Sequence, residues 1–234
     1  MRGCFSVIVL AIAFIVAGTW LAGPTVAAFM VETGLSAAGF SGSNTSVTVS
    51  ADPPFEVLTA HADKVDIESS QVTIDQFSAA RFDLTMTDAN LLTRTFEAVE
   101  GTLEDVTVRG EGSTTLHATQ VDISGDPAAA DMTIIVSREA LSDAAIEMLR
   151  GELGVDVDTV EFAAPDKIAI KAGTTTIAGQ FVIHDGGLAM TVNLPGAQQI
   201  DLVEASRGFR LTKVSIDGGE MVLDGVLDVE RLLS

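Results

Sequence analysis

Few residues of this chain have the type and spacing that chemistry requires. His61-Ala62-Asp63 places two metal-type donors two positions apart, on one face if the backbone is extended. A zinc-class centre needs three or four such donors, and His117 and His184 stand far along the chain without a second cluster. His61 therefore reads as an exposed loop histidine, and neither a metal ion nor a cofactor is expected. His184 falls in His184-Asp185-Gly186-Gly187, which has the composition of a hairpin turn. Ser137 is a nucleophile only beside a positioned base, and no G-x-S-x-G elbow surrounds it; a helix cap accounts for it fully. The carboxylate pairs Asp156/Asp158, Asp122/Asp126, Asp217/Glu220 and Asp224/Asp228 are interleaved with Val, Ile and Leu, the pattern of a solvated strand face. No EF-hand spacing and no phosphate-cradling glycine loop is present. The single cysteine, Cys4, excludes an intrachain disulfide and a cysteine-based metal centre. With three His, no Tyr and one Trp besides, the chain reads as a binding or structural protein without catalytic residues, not an enzyme.

The elements that must position these residues begin with a hydrophobic segment. Met1-Arg2-Gly3 precedes an apolar run from Phe5 to Ala22, 18 residues, with Trp20 near its outer end. At about 1.5 Å per residue that run spans roughly 27 Å, enough for a membrane helix. A signal peptide cleaved after Val26-Ala27-Ala28, before Phe29, is the competing reading. Both export the rest of the chain: Arg2 marks the inner side, and no Lys or Arg recurs until Lys64. Cys4 precedes the apolar run, whereas a lipoprotein cysteine would follow it. The expected organisation is a signal anchor or signal peptide over 1–23, a juxtamembrane helix and linker over 24–43, and one domain over 44–234. Within the second part, Gly39-Phe40-Ser41-Gly42-Ser43-Asn44 reads as a flexible linker.

Of the 234 residues, 13 are Lys or Arg and 33 Asp or Glu, for a net charge of −20. Such a chain is a poor partner for nucleic acid and does not hold anionic lipid headgroups by charge alone. A hydrophobic share of 47% excludes disorder. Beyond residue 44 the dominant period is two: Val47 and Val49, Val65 and Ile67, Val72 and Ile74, then Phe82, Leu84 and Met86, each alternating with polar residues. Further runs follow at 106–108, 116–123, 132–136, 168–170, 177–183, 188–194, 211–216 and 221–229. Alternation of this kind marks an antiparallel sheet with one buried face. Lys64-Val65-Asp66-Ile67 and its look-alikes recur at unequal spacing, which argues against a solenoid. A helix is expected after Ser137, with Leu141, Ala144, Ala145, Met148 and Leu149 on one face, Arg150 in its last turn and Gly151 closing it. A weaker helix is expected over Asp88–Ala98. The expected fold class is α+β: a strongly twisted, curled antiparallel sheet wrapped around the amphipathic helix.

One helix of about three turns covers a broad sheet only if the sheet curls around it. Two readings stay open on periodicity: a closed dry core, or an apolar trough in which lipid tails fit. The order of segments then bears on the choice. Pro53-Pro54-Phe55-Glu56-Val57-Leu58 is followed by what read as paired strands, Val65–Ile67 and Val72–Ile74, and by Phe77-Ser78-Ala79-Ala80-Arg81-Phe82-Asp83-Leu84. Ile134-Ile135-Val136-Ser137-Arg138-Glu139-Ala140-Leu141 runs from strand into helix, and the end carries Gly208-Phe209-Arg210-Leu211 and Ser215-Ile216-Asp217-Gly218-Gly219. This order resembles the LmeA-like phospholipid-binding family of bacterial envelopes over about residues 25–230. It departs from the family at Ala60-His61-Ala62-Asp63, where the family often has a glycine and an arginine. The resemblance implies a TULIP-like lipid-binding fold holding phospholipid acyl chains, on the extracytoplasmic side of the bacterial plasma membrane. Face assignment nominates Phe55, Phe82, Leu84, Met86, Leu141, Ala145, Met148 and Phe181 as lining residues. The alternative is a non-enzymatic interaction domain, held outside the membrane, with a dry core and a protein partner.

Overall fold

The computed structural model describes residues 28, 29, 31–33, 36, 40–74, 77–93, 95–109, 115–153, 157–193, 199–203, 205 and 208–229. The apolar segment over 5–22 lies outside them. Among the described residues no helix is long and apolar enough to cross a membrane.

Among the described residues, thirteen strands form two antiparallel sheets. The larger contains β1 (Ser41–Ser50), β2 (His61–Ile74), β3 (Phe77–Asn90), β4 (Ala98–Arg109), β5 (Thr115–Gly125), β6 (Ala130–Val136), β12 (Phe209–Asp217) and β13 (Glu220–Leu227). Its order is β1-β2-β3-β4-β5-β6-β13-β12. The smaller has β7 (Thr159–Ala163), β8 (Lys167–Ala172), β9 (Thr175–His184), β10 (Gly187–Val192) and β11 (Gln199–Val203), in the order β11-β10-β9-β8-β7. A 3-10 helix over Pro54–Thr59 precedes β2, and the helix α1 (Arg138–Leu153) links the sheets.

Register divides the larger sheet into two chemical faces. Val47, Ile67, Leu84, Gly101, Ile123, Met132, Gly225 and Leu211 lie opposite one another across all eight strands. The next row on that face is Ser69, Phe82, Leu103, Val121, Ile134, Leu223 and Val214. The opposite face carries Glu68, Asp83, Thr102, Asp122, Thr133, Asp224 and Lys213 in a single row. Because side chains alternate, a one-residue slip would bury the carboxylates, so the register is strongly specified.

The alternation also shifts phase along a line across four strands. Leu103 and Val106 are both buried while Glu104 and Asp105 between them are exposed, and the buried Val121 and Ala118 flank the exposed Thr119 and the half-buried Gln120. Gln71 (φ 52°) and Asp105 (φ 49°) adopt left-handed backbone at this level. Since neighbouring strands shift together, pairing stays in register, with Ser70 opposite Arg81 and Val72 opposite Ala79.

Several expectations need correction. The protein is mostly antiparallel sheet with two short helices, not α+β, and its sheets are not strongly curled. The reason is the second sheet. The helix α1 packs on β5 and β13 of one sheet and β7 of the other, and β12 meets β9 and β10 directly. A second layer thus does the covering that curling around the helix would have done. Val65–Ile67 and Val72–Ile74 are halves of one strand, β2, joined through the phase shift. Ser41–Asn44, read as linker, opens β1. The helix expected over Asp88–Ala98 is the end of β3, a turn and the start of β4; Asn90 accepts the Leu92 and Thr93 N–H groups with Oδ1. Gly151 does not close α1, which runs on to Leu153. Other local expectations hold. Ser137 Oγ accepts the Ala140 N–H, and both hairpins form on positive-φ residues, Asp185-Gly186 and Gly218-Gly219.

Leu223, 1% exposed, sits where the two layers meet. Leu223→Ala is expected to destabilise by about 2–5 kcal/mol. Gly225→Ala is expected to cost about 1–3 kcal/mol by overpacking, because its new Cβ would lie 2.8 Å from the Arg210 carbonyl oxygen. Leu92, 81% exposed, is the control, with Leu92→Ala within about 0.5 kcal/mol of wild type in urea denaturation.

Candidate functional site

The apolar face of the larger sheet feeds two clusters. Under α1 and the smaller sheet, Leu103, Val121, Met132, Leu211 and Leu223 pack with Leu141, Ala145, Phe162 and Phe181. Phe162 and Phe181 stack with ring centroids 6.2 Å apart. Towards β1, a second cluster of Val49, Ala62, Val65, Ile67, Ala89 and Val99 is covered by short pieces of chain, including Val57 of the 3-10 helix, Leu91, Phe96 and the helical residues Ala28 and Val31. Leu84 and Met86 belong to this second cluster, and Phe82 packs against both. All three are half-buried, whereas Leu141, Ala145 and Phe181 are 3%, 6% and 1% exposed.

The nominated lining residues therefore divide. Leu141, Ala145 and Phe181 meet in the filled interior between the sheets. Phe82, Leu84 and Met86 form a stripe on β3, with the Phe40 ring edge-on to Phe82 at 5.6 Å. The side chains of Phe55 and Met148 lie outside the described residues.

A second constellation surrounds His61. Its Nε2 is 3.2 Å from Asp88 Oδ1, 3.8 Å from Asp63 Oδ1 and 3.9 Å from Glu56 Oε2. Donor atoms of Glu56, His61 and Asp63 all lie within 4.8 Å of one another, the arrangement that can hold a metal ion. The strand pairing brings Asp88 in, since Ala62 faces Ala89 and Lys64 faces Thr87, leaving Asp63 across from Asp88. The 3-10 helix brings in Glu56, and its end is fixed by Ala60 in the left-handed region at φ 61°. Asp63 is held by its other oxygen, Oδ2, which accepts the Asp52 N–H at 2.6 Å. His61 thus opens β2 half-buried among carboxylates and is not an exposed loop residue. Glu56 and Asp88 escaped the sequence reading because neither stands at ligand spacing from His61. The other histidines differ: His117 Nδ1 is 2.9 Å from Thr107 Oγ1, and His184 Nδ1 is 3.7 Å from Asp185 and 4.0 Å from Asp201.

The acidic face is internally bonded. Asp122 accepts from Thr102 and Gln120, and Asp224 from Thr133 and Lys213. Burial raises the pKa of the Asp66 carboxyl, but hydrogen bonds from Lys64 and Thr85, with the charge of Lys64, outweigh it and leave the pKa below the ordinary value. The hydrogen bond and charge of Lys171 likewise hold Glu161 low. No protein-family model, curated protein or solved structure matches the chain, so a functional reading rests on its own residues.

A folded-state pKa below the unfolded one adds stability above the unfolded value and loses it as pH falls through the folded value. Lys64→Met is therefore expected to lower stability at neutral pH by under about 1 kcal/mol. The difference from wild type should shrink to nothing once the solution is acidic enough to protonate Asp66. Urea melts of both proteins across that range check this.

Proposed function

We propose that this is an exported, membrane-tethered phospholipid-binding protein of the bacterial cell envelope, which holds acyl chains on the half-buried apolar stripe of β3 and passes them between envelope layers. One observation carries the reading. The apolar row through Leu84 runs from Met132 and Leu211 of the closed interior out to β1, and beside it Val65, Met86 and Val99 continue the apolar face where short segments replace a packed layer. The burial of each methylene on such a surface is worth about 0.8 kcal/mol, so part of an acyl chain suffices for binding. The apolar run over 5–22 supports a location at the outer side of the plasma membrane, and the resemblance to LmeA-like proteins supports the ligand class. The lipid would lie along the sheet beside the helical residues Ala28 and Val31, not in a trough around α1. Headgroup selectivity is weak on this reading, because a net charge of −20 repels anionic groups and Lys171 and Lys213 are already paired with Glu161 and Asp224.

The filled interior around Leu141, Ala145 and Phe181 favours a second reading, a dry-core domain that binds a protein partner. A partner strand could then add to a sheet edge such as β7.

The two readings separate by mutation. Leu84→Asp and Met86→Asp are expected to reduce capture of a fluorescent phosphatidylcholine at least tenfold, while Leu92→Asp leaves it unchanged. Far-UV circular dichroism confirms that each variant keeps its sheet. Undiminished capture by both β3 variants would remove lipid binding from this stripe, and no capture by wild type would leave the interaction domain standing.

A further inference from the structure

The geometry around His61 points to a site for a zinc-class divalent cation, held by Glu56, His61 and Asp63, with Asp88 beside the imidazole. This is independent of the lipid reading and rests on three observations. The first is distance. Metal bonds of about 2.0–2.2 Å in a tetrahedral site put neighbouring donors about 3.3–3.6 Å apart. The Asp63 and Glu56 oxygens stand 3.8 and 3.9 Å from one imidazole nitrogen, slightly wider than that edge and too long for hydrogen bonds, and the three donors lie within 4.8 Å of one another.

The second observation is how the donors are held. They come from the 3-10 helix and from β2, so the site does not depend on one flexible loop. Asp63 gives Oδ2 to the Asp52 N–H and keeps Oδ1 towards His61, the kind of outer hydrogen bond that orients a ligating carboxylate.

The third is charge. Three carboxylates around one imidazole leave an excess of negative charge even when the ring is protonated. The adjacent cation, Lys64, is turned to Asp66 at 2.7 Å and does not relieve it. A divalent ion does. The imidazole donor favours zinc-class metals over calcium and magnesium, which prefer all-oxygen sites. Glu56, His61 and Asp63 would hold the ion, which would clamp the 3-10 helix, and with it Val57, onto the start of β2 beside the second apolar cluster.

The test is calorimetric titration of the chelator-stripped full chain with Zn2+ and, separately, Ca2+. One Zn2+ per chain is expected, with affinity at least tenfold weaker in His61→Ala and in Asp63→Asn, and unchanged in the control His184→Ala. Zn2+ should also raise the melting temperature of wild type and not that of His61→Ala. Should either variant melt early without metal, the absorption of Co2+-loaded wild type reads the site directly, with intense tetrahedral bands expected. The inference is overturned by Zn2+ binding that His61→Ala leaves intact, by Ca2+ binding more tightly than Zn2+, or by no saturable binding. In the last case the cluster is a histidine ion pair only.

Discussion

Everything in this fold follows from keeping one face of an eight-stranded sheet dry and the other wet. The register that aligns Val47, Ile67, Leu84, Ile123, Met132 and Leu211 also aligns Glu68, Asp83, Asp122 and Asp224 on the reverse. Neither set can move without the other. The left-handed residues Gln71 and Asp105 obey the same constraint. Each costs strain of order 1–3 kcal/mol, tolerated because the phase shift falls at one level in adjacent strands and keeps apolar residues inward on both sides of it.

A dry face this wide needs covering, and the chain covers it unevenly. Over β5, β6, β12 and β13 it lays α1 and a whole second sheet, giving a filled interior. That interior also takes in Ala79 of β3 with Leu103 and Val106 of β4; over β1, β2 and the ends of β3 and β4 near Ala89 and Val99 the chain lays short segments, and Phe82, Leu84 and Met86 stay half-buried. The proposed lipid stripe belongs to the thinner part of the cover. The His61 cluster sits at the end of the same region, where the 3-10 helix folds back on β2. Binding surface and proposed ion clamp are thus neighbouring consequences of one incomplete layer.

Much of this was legible in the residues. Period two located most of the strands, though not β7 and β11; Asp-Gly and Gly-Gly located the hairpins, and Ser137 located the start of α1, because each signal is local. What failed was not local. The five-residue step from Ile67 to Val72 looked like a break between strands, when a single left-handed residue, Gln71, carries one strand through it. Leu92, Phe96 and Val99 fall at helical spacing, but Asn90 folds that stretch into a turn and pairing with β3 claims the rest. The curled sheet was inferred from a shortage of covering helix, and periodicity does not say that β7 to β11 form a separate layer. Glu56 and Asp88 converge on His61 only through tertiary pairing. For the lining residues, face assignment treats Leu84, Met86, Leu141 and Phe181 alike, and does not separate the half-buried Leu84 and Met86 from the buried Leu141 and Phe181.

The central claim is that the half-buried stripe holds acyl chains. Native mass spectrometry of the full chain, purified from a bacterial host in mild detergent and paired with lipid analysis of an organic extract, tests it most directly. Acyl chains on the stripe should appear as a mass excess equal to one or two phospholipids, lost on extraction and absent from Leu84→Asp. A wild-type chain that flies at its bare mass, under conditions where a known lipid carrier keeps its cargo, would contradict it.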